Sequence, residues 1–514
     1  MAFAMDALWT LILFLLSLFG LGSPQGPTTP APTTPPPQAV RPLASADALA
    51  VNLEDGGDRV LRTADGRRVL LRGANVNALV DHGGARDTVQ VAAADGVQAR
   101  ALGFNVIRLA VSWSKVAPQP GTLDQAYLGE IRDTAKVFAD QGIYVLLDMH
   151  QDRYAAGLGP SGDESDGAPA WAALTDGAST ASGSGNHPYY GTAASRQAAK
   201  SFFENREVAG RTLQDHYAQA VLAVTRAGQQ LGPAFAGIEL WNEPVDPWAT
   251  DAYATDTFSA SKVWPLYRRL IGTLRGGGYA GPIWFEPHTA RTWTDDDRAA
   301  ARFSDDGQLV YGPHIYTDVY GGLGSGTYAK LRTSFDNAAS EARKYGAALV
   351  PTELPGASGG SWEPYRQYEL DQLDRLGIGG MVWVWKQAPG SDYGWGVLRA
   401  DGSLRGDSQI ARDYGRPRVL AHATTVVDQR YENGVLTVST RGAGNLDLWD
   451  GAAFAASEPA TGVAGRVTID GQAPAAADLT SWRAAARLGT GGWGGGRQLR
   501  LRIPDGDHVI RLQP

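Results

Sequence analysis

The chain has no cysteine, which removes disulfide staples, thiolate metal sites and cysteine nucleophiles together. Charge is sparse as well. Only 19% of its 514 residues are Asp, Glu, Lys or Arg, and the net charge is −8 with no long run of Lys or Arg. An acidic chain without a basic stripe argues against a nucleic-acid partner. Long apolar runs are nearly missing too. Mean hydropathy is −0.24, and one segment alone, residues 8–21 (LWTLILFLLSLFGL), is apolar enough to engage a bilayer. That excludes a polytopic membrane protein. What the chain has in quantity is aromatic: 15 Trp and 19 Tyr, whose flat faces suit sugar rings as well as ordinary cores.

The N-terminal segment is shorter than the about 20 residues of a spanning helix, and Gly22, Ser23 and Pro24 follow it. Residues 1–25 therefore read as a secretory signal. An uncleaved anchor is the alternative, because Met1–Asp6 carries no basic residue and no Ala-x-Ala site follows. Residues 26–45 read as a linker. Their Pro/Thr tract (GPTTPAPTTPPPQAVRP) favours extended polyproline and builds no core. The protein is expected outside the cell, free or tethered through this segment.

From 46 to 415, apolar strand-like runs alternate with helical periods. Eight runs stand out: 69–77, 105–111, 144–150, 236–242, 283–286, 309–316, 349–353 and 381–385. Most are continuously apolar, as parallel strands buried on both faces should be. Helical periods lie between them at 123–141, 208–231, 263–276, 331–345 and 365–376. Eight such units predict an α/β fold, a (β/α)8 TIM barrel with enlarged loops. A doubly wound open sheet is the alternative, but no Gly-rich phosphate fingerprint follows the first strand. Residues 416–514 change character: short alternating runs at 424–427, 436–440, 467–469, 499–503 and 508–512, with Asn433-Gly434 marking a hairpin. These predict a C-terminal all-β sandwich domain, with a doubtful helix at 475–488.

Chemistry in such a barrel gathers at the C-terminal ends of the strands. Those ends carry Arg108, Asp148, His150 and Asp152, Trp241-Asn242-Glu243-Pro244, Glu286-Pro287-His288, His314 and Tyr316, Glu353, and Trp383, Trp385 and Lys386. Glycoside cleavage needs two carboxyl groups, one to protonate the leaving oxygen and one to attack the anomeric carbon or activate water. Glu243 and Glu353, ending strands 4 and 7, would face each other across the mouth, near the about 5–5.5 Å of a retaining double displacement. Asn242 is placed to bond a sugar hydroxyl, and Arg108 to keep Glu353 ionised. Tyr316 is placed to donate to the same carboxylate, and Trp385 to stack on a sugar ring.

Together, Arg108, His150, the Asn242-Glu243-Pro244 triplet, His314, Tyr316, Glu353 and Trp385 resemble glycoside hydrolase family 5, the retaining β-glycosidases of the clan-A barrels. Asp148-Met149-His150-Gln151-Asp152 and the later Gly167-Ala168-Pro169-Ala170-Trp171 are similar to the endoglycoceramidase branch, enzymes that release an intact glycan from ceramide. The resemblance implies Glu243 as acid/base and Glu353 as nucleophile, with Arg108, His150, Asp152, Asn242, His314, Tyr316, Trp385 and Lys386 binding substrate. It implies no cofactor and no catalytic metal, and His150, His288 and His314 lack the spacing of a metal site. The partner it implies is a glycosphingolipid or another β-glycoside, with transient contact to a membrane or micelle and a monomeric enzyme. Thr352-Glu353-Leu354-Pro355 departs from the pattern, which leads one to expect an aromatic residue and a glycine after the nucleophile. The alternatives are a β-glucosidase, a cellulase-like endoglycanase, or a non-catalytic sugar- or lipid-binding module.

The loop at 151–202 is long for a compact domain and reads as a lid or binding element; it contains Trp171, Tyr189 and Tyr190. Trp248, Trp293, Tyr393 and Trp395 fall in other mouth loops, and Asp163, Glu164 and Asp166 read as a solvated acidic loop.

Overall fold

The computed structural model describes residues 41–513, apart from 55, 81–88, 156, 159–165, 188, 251–255, 357–361, 387–394, 404–408, 452–465 and 484–495. The expected signal and most of the linker lie outside these residues, as do Asp163, Glu164 and Tyr393. Among the described residues no helix is long and apolar enough to cross a membrane.

An N-terminal meander comes first: β1 (Leu49–Leu53), β2 (Arg59–Thr63) and β3 (Arg68–Val69), paired antiparallel. The parallel series follows. It comprises β4 (Arg72–Leu79), β5 (Val106–Ser112), β6 (Tyr144–His150), and, after a two-residue hairpin of β7 (Glu207–Val208) and β8 (Arg211–Thr212), β9 (Phe235–Glu239), β10 (Ile283–Phe285) and β11 (Leu309–Tyr311). The seventh position is split. β12 (Ala348–Leu349) pairs with β11, and β13 (Leu354–Pro355) pairs with β14 (Gly380–Trp383). A bridge between His314 and Glu353 spans the split. β14 pairs with β4, which closes the ring.

Side-chain alternation explains the layers. Ile107, Leu109, Val145, Leu147 and Phe285 face the helical shell, while Val106, Leu146, Trp284, Val310 and Met381 meet inside with Leu49, Val51 and Leu61 of the meander. The meander thus plugs the end of the ring opposite the mouth. The sequence reading missed it. It also missed helices Ala93–Ala101 and Ala193–Phe203; the latter turns the end of the supposed 50-residue loop into regular structure, its Ala-rich face packed on the shell.

After helix Gln409–Tyr414 the chain enters two antiparallel sheets. One contains β15 (Arg418–His422), β18 (Gly444–Trp449), β20 (Leu479–Arg483) and β21 (Arg497–Ile503). The other contains β16 (Thr425–Glu432), β17 (Val435–Arg441), β19 (Val467–Ile469) and β22 (Asp507–Leu512). Leu436, Val438, Leu446, Leu448, Leu499 and Ile510 fill the space they share. Of the doubtful helix at 475–488, Ala476–Asp478 form a 3-10 turn and Leu479–Arg483 form β20, and residues 484–488 lie outside the described residues. β15 also pairs with β3, joining this region to the meander.

Trp449 and Gly103 make one of the closest contacts of this region with the ring. Gly103 has φ +74°, and a Cβ added there would sit 2.4 Å from the indole. Gly103→Ala is therefore expected to cost about 2 kcal/mol or more through overpacking and a strained left-handed backbone. A denaturant titration reads this directly, and an unchanged midpoint would refute it.

Candidate active site

At the mouth of the ring, Arg108 on β5 is fully buried and surrounded by acids. Its Nη1 donates to Glu353 Oε1 at 2.7 Å and to Asn75 Oδ1 at 2.9 Å. Its Nη2 donates to Asn242 Oδ1 at 2.8 Å and to Glu286 Oε1 at 3.0 Å, and it lies 3.1 Å from Asp148 Oδ2. Its Nε donates to Glu239. The guanidinium fork fixes these partners relative to one another. Asn75 is itself held, donating to the carbonyls of Thr352 and Val382.

Glu353 therefore has both oxygens assigned: Oε1 accepts from Arg108 and Oε2 from the Tyr316 hydroxyl at 2.8 Å. As expected, Arg108 lies against Glu353 and its charge favours the ionised carboxylate. Burial pushes the Glu353 carboxyl up, and the His314 and Arg108 charges only partly offset that. Arg108 has several other acids to compensate.

Glu243 sits just past β9 in a left-handed backbone conformation, φ +43°, which is rare for a residue with a side chain. Three contacts hold the turn. The Glu243 amide donates to Glu286 Oε2 at 3.0 Å, and the Gln151 side chain donates to the carbonyls of Asn242 and Glu243. Its Oε1 lies 2.9 Å from His314 Nδ1. A carboxylate oxygen of Glu243, a ring nitrogen of His314 and a carboxylate oxygen of Glu353 all fall within 4.8 Å of one another.

His314 has acids on both ring nitrogens. Nε2 is 3.1 Å from Glu286 Oε2, an ion-pair contact off the line of a straight hydrogen bond. Nδ1 is 3.4 Å from Glu353 Oε2 as well as close to Glu243. Burial opposes a charge there, yet Glu286 and Glu353 raise the imidazole well above its usual range. Burial likewise opposes charge on His150, and Asp148, 2.7 Å from Nδ1, outweighs it. Glu286 and Glu239 are pushed up by burial to about 7 and about 8, against the pull of the nearby cations.

One wall of the mouth is His150 stacked on Trp383 at 5.4 Å, with Asp152 beside it accepting from the Tyr189 hydroxyl. Another is a cluster of Tyr316, Tyr320 and Trp395, with ring centroids 5.6–6.2 Å apart and Tyr320 65% exposed.

Ten sequence-predicted site residues can now be placed. Arg108, His150, Asp152, Asn242, Glu243, His314, Tyr316 and Glu353 converge at the mouth. Trp385 and Lys386 do not. Trp385 is 1% exposed, packs edge-on against Phe104 and donates to Asp95; Lys386 pairs with the same Asp95 at 2.6 Å. Alternation alone would put 383 and 385 on one side, but β14 ends at Trp383 and the chain beyond it carries Trp385 into the shell, so Trp383 is the strand-8 aromatic in the mouth. Asp166 is buried, contrary to its reading as solvated. Trp171 is corrected too: it buttresses the shell against Trp113 and His216. Asp148, Glu239 and Glu286 were missed as a network. Their signal is positional, each charged residue lying at an inward site near the mouth end of an apolar strand.

The family model for cellulase, glycosyl hydrolase family 5, matches residues 63–389. The chain belongs to glycosyl hydrolase family 5. It is a glycoside hydrolase by that membership. Endoglycoceramidase I of Rhodococcus hoagii (strain 103S) is 38% identical over 60 residues, a stretch that spans 12% of either chain. The crystal structure of an endogalactoceramidase superposes with a TM-score of 0.71 at 25% identity, covering 90% of this chain and 99% of that one. Endo-glycoceramidase II from Rhodococcus sp., in complex with ganglioside GM3, gives 0.68 at 22% identity, covering 90% and 99%. These superpositions extend through the antiparallel sheets that follow the family 5 ring.

Proposed function

We propose that this family 5 hydrolase cleaves the β-linkage between a glycan and ceramide with retention of configuration. The observation that carries the mechanism is the approach of Glu243 and Glu353 to within 4.8 Å, with His314 between them. That spacing suits a nucleophile rather than the wider gap an interposed water requires. Glu353 attacks the anomeric carbon while Glu243 gives its proton to the departing ceramide oxygen. Glu243, now a carboxylate, takes a proton from water, which attacks the anomeric carbon, breaks the ester and frees Glu353. Arg108 and Tyr316 fix both oxygens of the nucleophile.

The glycolipid substrate draws support from similarity to endoglycoceramidases and from the aromatic cluster of Tyr316, Tyr320 and Trp395, whose exposed member Tyr320 offers an aromatic face beside the polar mouth. A cellulase-like activity is the second reading, favoured by the family model's own description. Incubation with lactosylceramide, galactosylceramide, cellulose and an aryl β-glucoside, followed by thin-layer chromatography, separates these. The expected products are ceramide and intact lactose. Release of glucose or cello-oligosaccharides without ceramide would move the assignment to a glucosidase or an endoglycanase.

A further inference from the structure

Glu286, at the exit of β10, takes part in no bond-making step above, yet it touches three parts of the machinery. Its Oε1 accepts from Arg108 at 3.0 Å. Its Oε2 accepts the amide of Glu243 at 3.0 Å and lies 3.1 Å from His314 Nε2. It is 2% exposed, so water screens none of this. Its own backbone is held from the shell, where Tyr267 donates to the Glu286 carbonyl.

We propose that Glu286 is a positioning residue with two tasks: it is the counter-ion that keeps His314 positively charged, and it is the anchor that holds Glu243 in its left-handed turn. The inference rests on Glu243 and Glu353 being the reacting pair. Its logic is the movement of charge during the cycle. In the free enzyme the negative charge resides on Glu353; in the covalent intermediate Glu353 is an ester and the charge has passed to Glu243. The Nδ1–H of His314 lies 3.4 Å from Glu353 Oε2 and 2.9 Å from Glu243 Oε1. A cation at that point can serve whichever carboxylate is charged, with no movement of backbone. A neutral imidazole would serve neither as well.

The other charged groups around Glu286 are Arg108, Asp148, Glu239 and Glu243, with Glu353 reached through Arg108 and His314. Arg108 carries the same sign as a protonated His314 and opposes its charge, so the counter-ion on the Nε2 side has to be a carboxylate, and the one in contact is Glu286. Burial raises Glu286 to about 7, the two cations offsetting it only in part, so the ion pair is populated from the neutral range upward and is lost as pH falls below it.

Three measurements test this on the full-length enzyme with an aryl β-glycoside. In Glu286→Gln the alkaline limb of the kcat/KM profile should move acidward by about one pH unit or more, the effect of losing one adjacent opposite charge. The sign follows from linkage: a histidine stripped of its counter-ion loses its proton at lower pH. Glu286→Asp, which keeps the charge, should hold the limb near its wild-type position. In the wild-type enzyme, histidine-selective 15N NMR assigned with His314→Asn should show both His314 nitrogens protonated at pH 7. A uniform loss of rate in both variants, with the limb unmoved, would reduce Glu286 to a packing role. A neutral His314 in the wild type would overturn the proposal whether or not the variants fold. Absence of any glycosidase activity in the wild type would instead refute the function on which the proposal rests.

Discussion

Glu353→Gln is expected to lose about 10⁴-fold or more in kcat on every substrate, activated or not. The amide is nearly isosteric, keeps an oxygen to accept from Arg108, and leaves the surrounding acids one charge nearer balance with the cations, so folding should survive. What disappears is the carboxylate assigned to form the glycosyl ester. A 2-deoxy-2-fluoro glycoside gives the cleanest readout. Mass spectrometry should find one covalently attached sugar on the wild-type enzyme, located in the peptide carrying Glu353, and none on the variant. A label on a different carboxylate would reassign the nucleophile.

Glu243→Gln should fail differently. With a poor leaving group such as a ceramide alkoxide, loss of the proton donor should cost about 10²–10⁴-fold. With a dinitrophenyl glycoside the first step needs little protonation, so the glycosyl-enzyme should form and then stall. Azide, which needs no base, should restore turnover and yield the β-glycosyl azide. Product stereochemistry by NMR decides: an α-azide from this variant, or a β-azide from Glu353→Gln alone, would exchange the two roles. An α-anomer released by the wild type from a β-glycoside would discard retention itself.

Much of this was legible before the structure, for a physical reason. Strands buried on both faces must be apolar, so a polar residue at such a strand's end stands out, as Arg108, His150, Glu243 and Glu353 do. Legibility failed where the reading needed more than that contrast. Trp383 and Trp385 look equivalent because strand alternation would put both on one face, and only the end of β14 at Trp383 separates mouth from shell. Glu286 was read only as one of the polar strand ends and given no role of its own, because its value lies in what it touches across the ring. The inward layer was nonetheless countable: Val106 is followed two residues on by Arg108, Leu146 by Asp148, and Trp284 by Glu286, each step rising from the apolar plug to the charged mouth. The meander β1–β3 was hidden because its three strands are only two to five residues long, β2 and β3 carry arginines, and their place depends on a ring not yet built.

The pairing of β15 with both β3 and β18 means that one hydrogen-bond ladder runs from the plug of the ring into the C-terminal sheets. Cutting the chain after Tyr414 would thus do more than shed an appendage. It would bare the edge of β3, whose amides and carbonyls then invite pairing with another chain, and would uncover the surface that Trp449 shields around Gly103. The same cut would strip Asp447 from Arg67, leaving a buried guanidinium short of one of its acids. A shortened enzyme of this kind should clump rather than simply weaken. Anyone seeking a minimal catalytic fragment would do better to trim the segments before Arg41 than the far end.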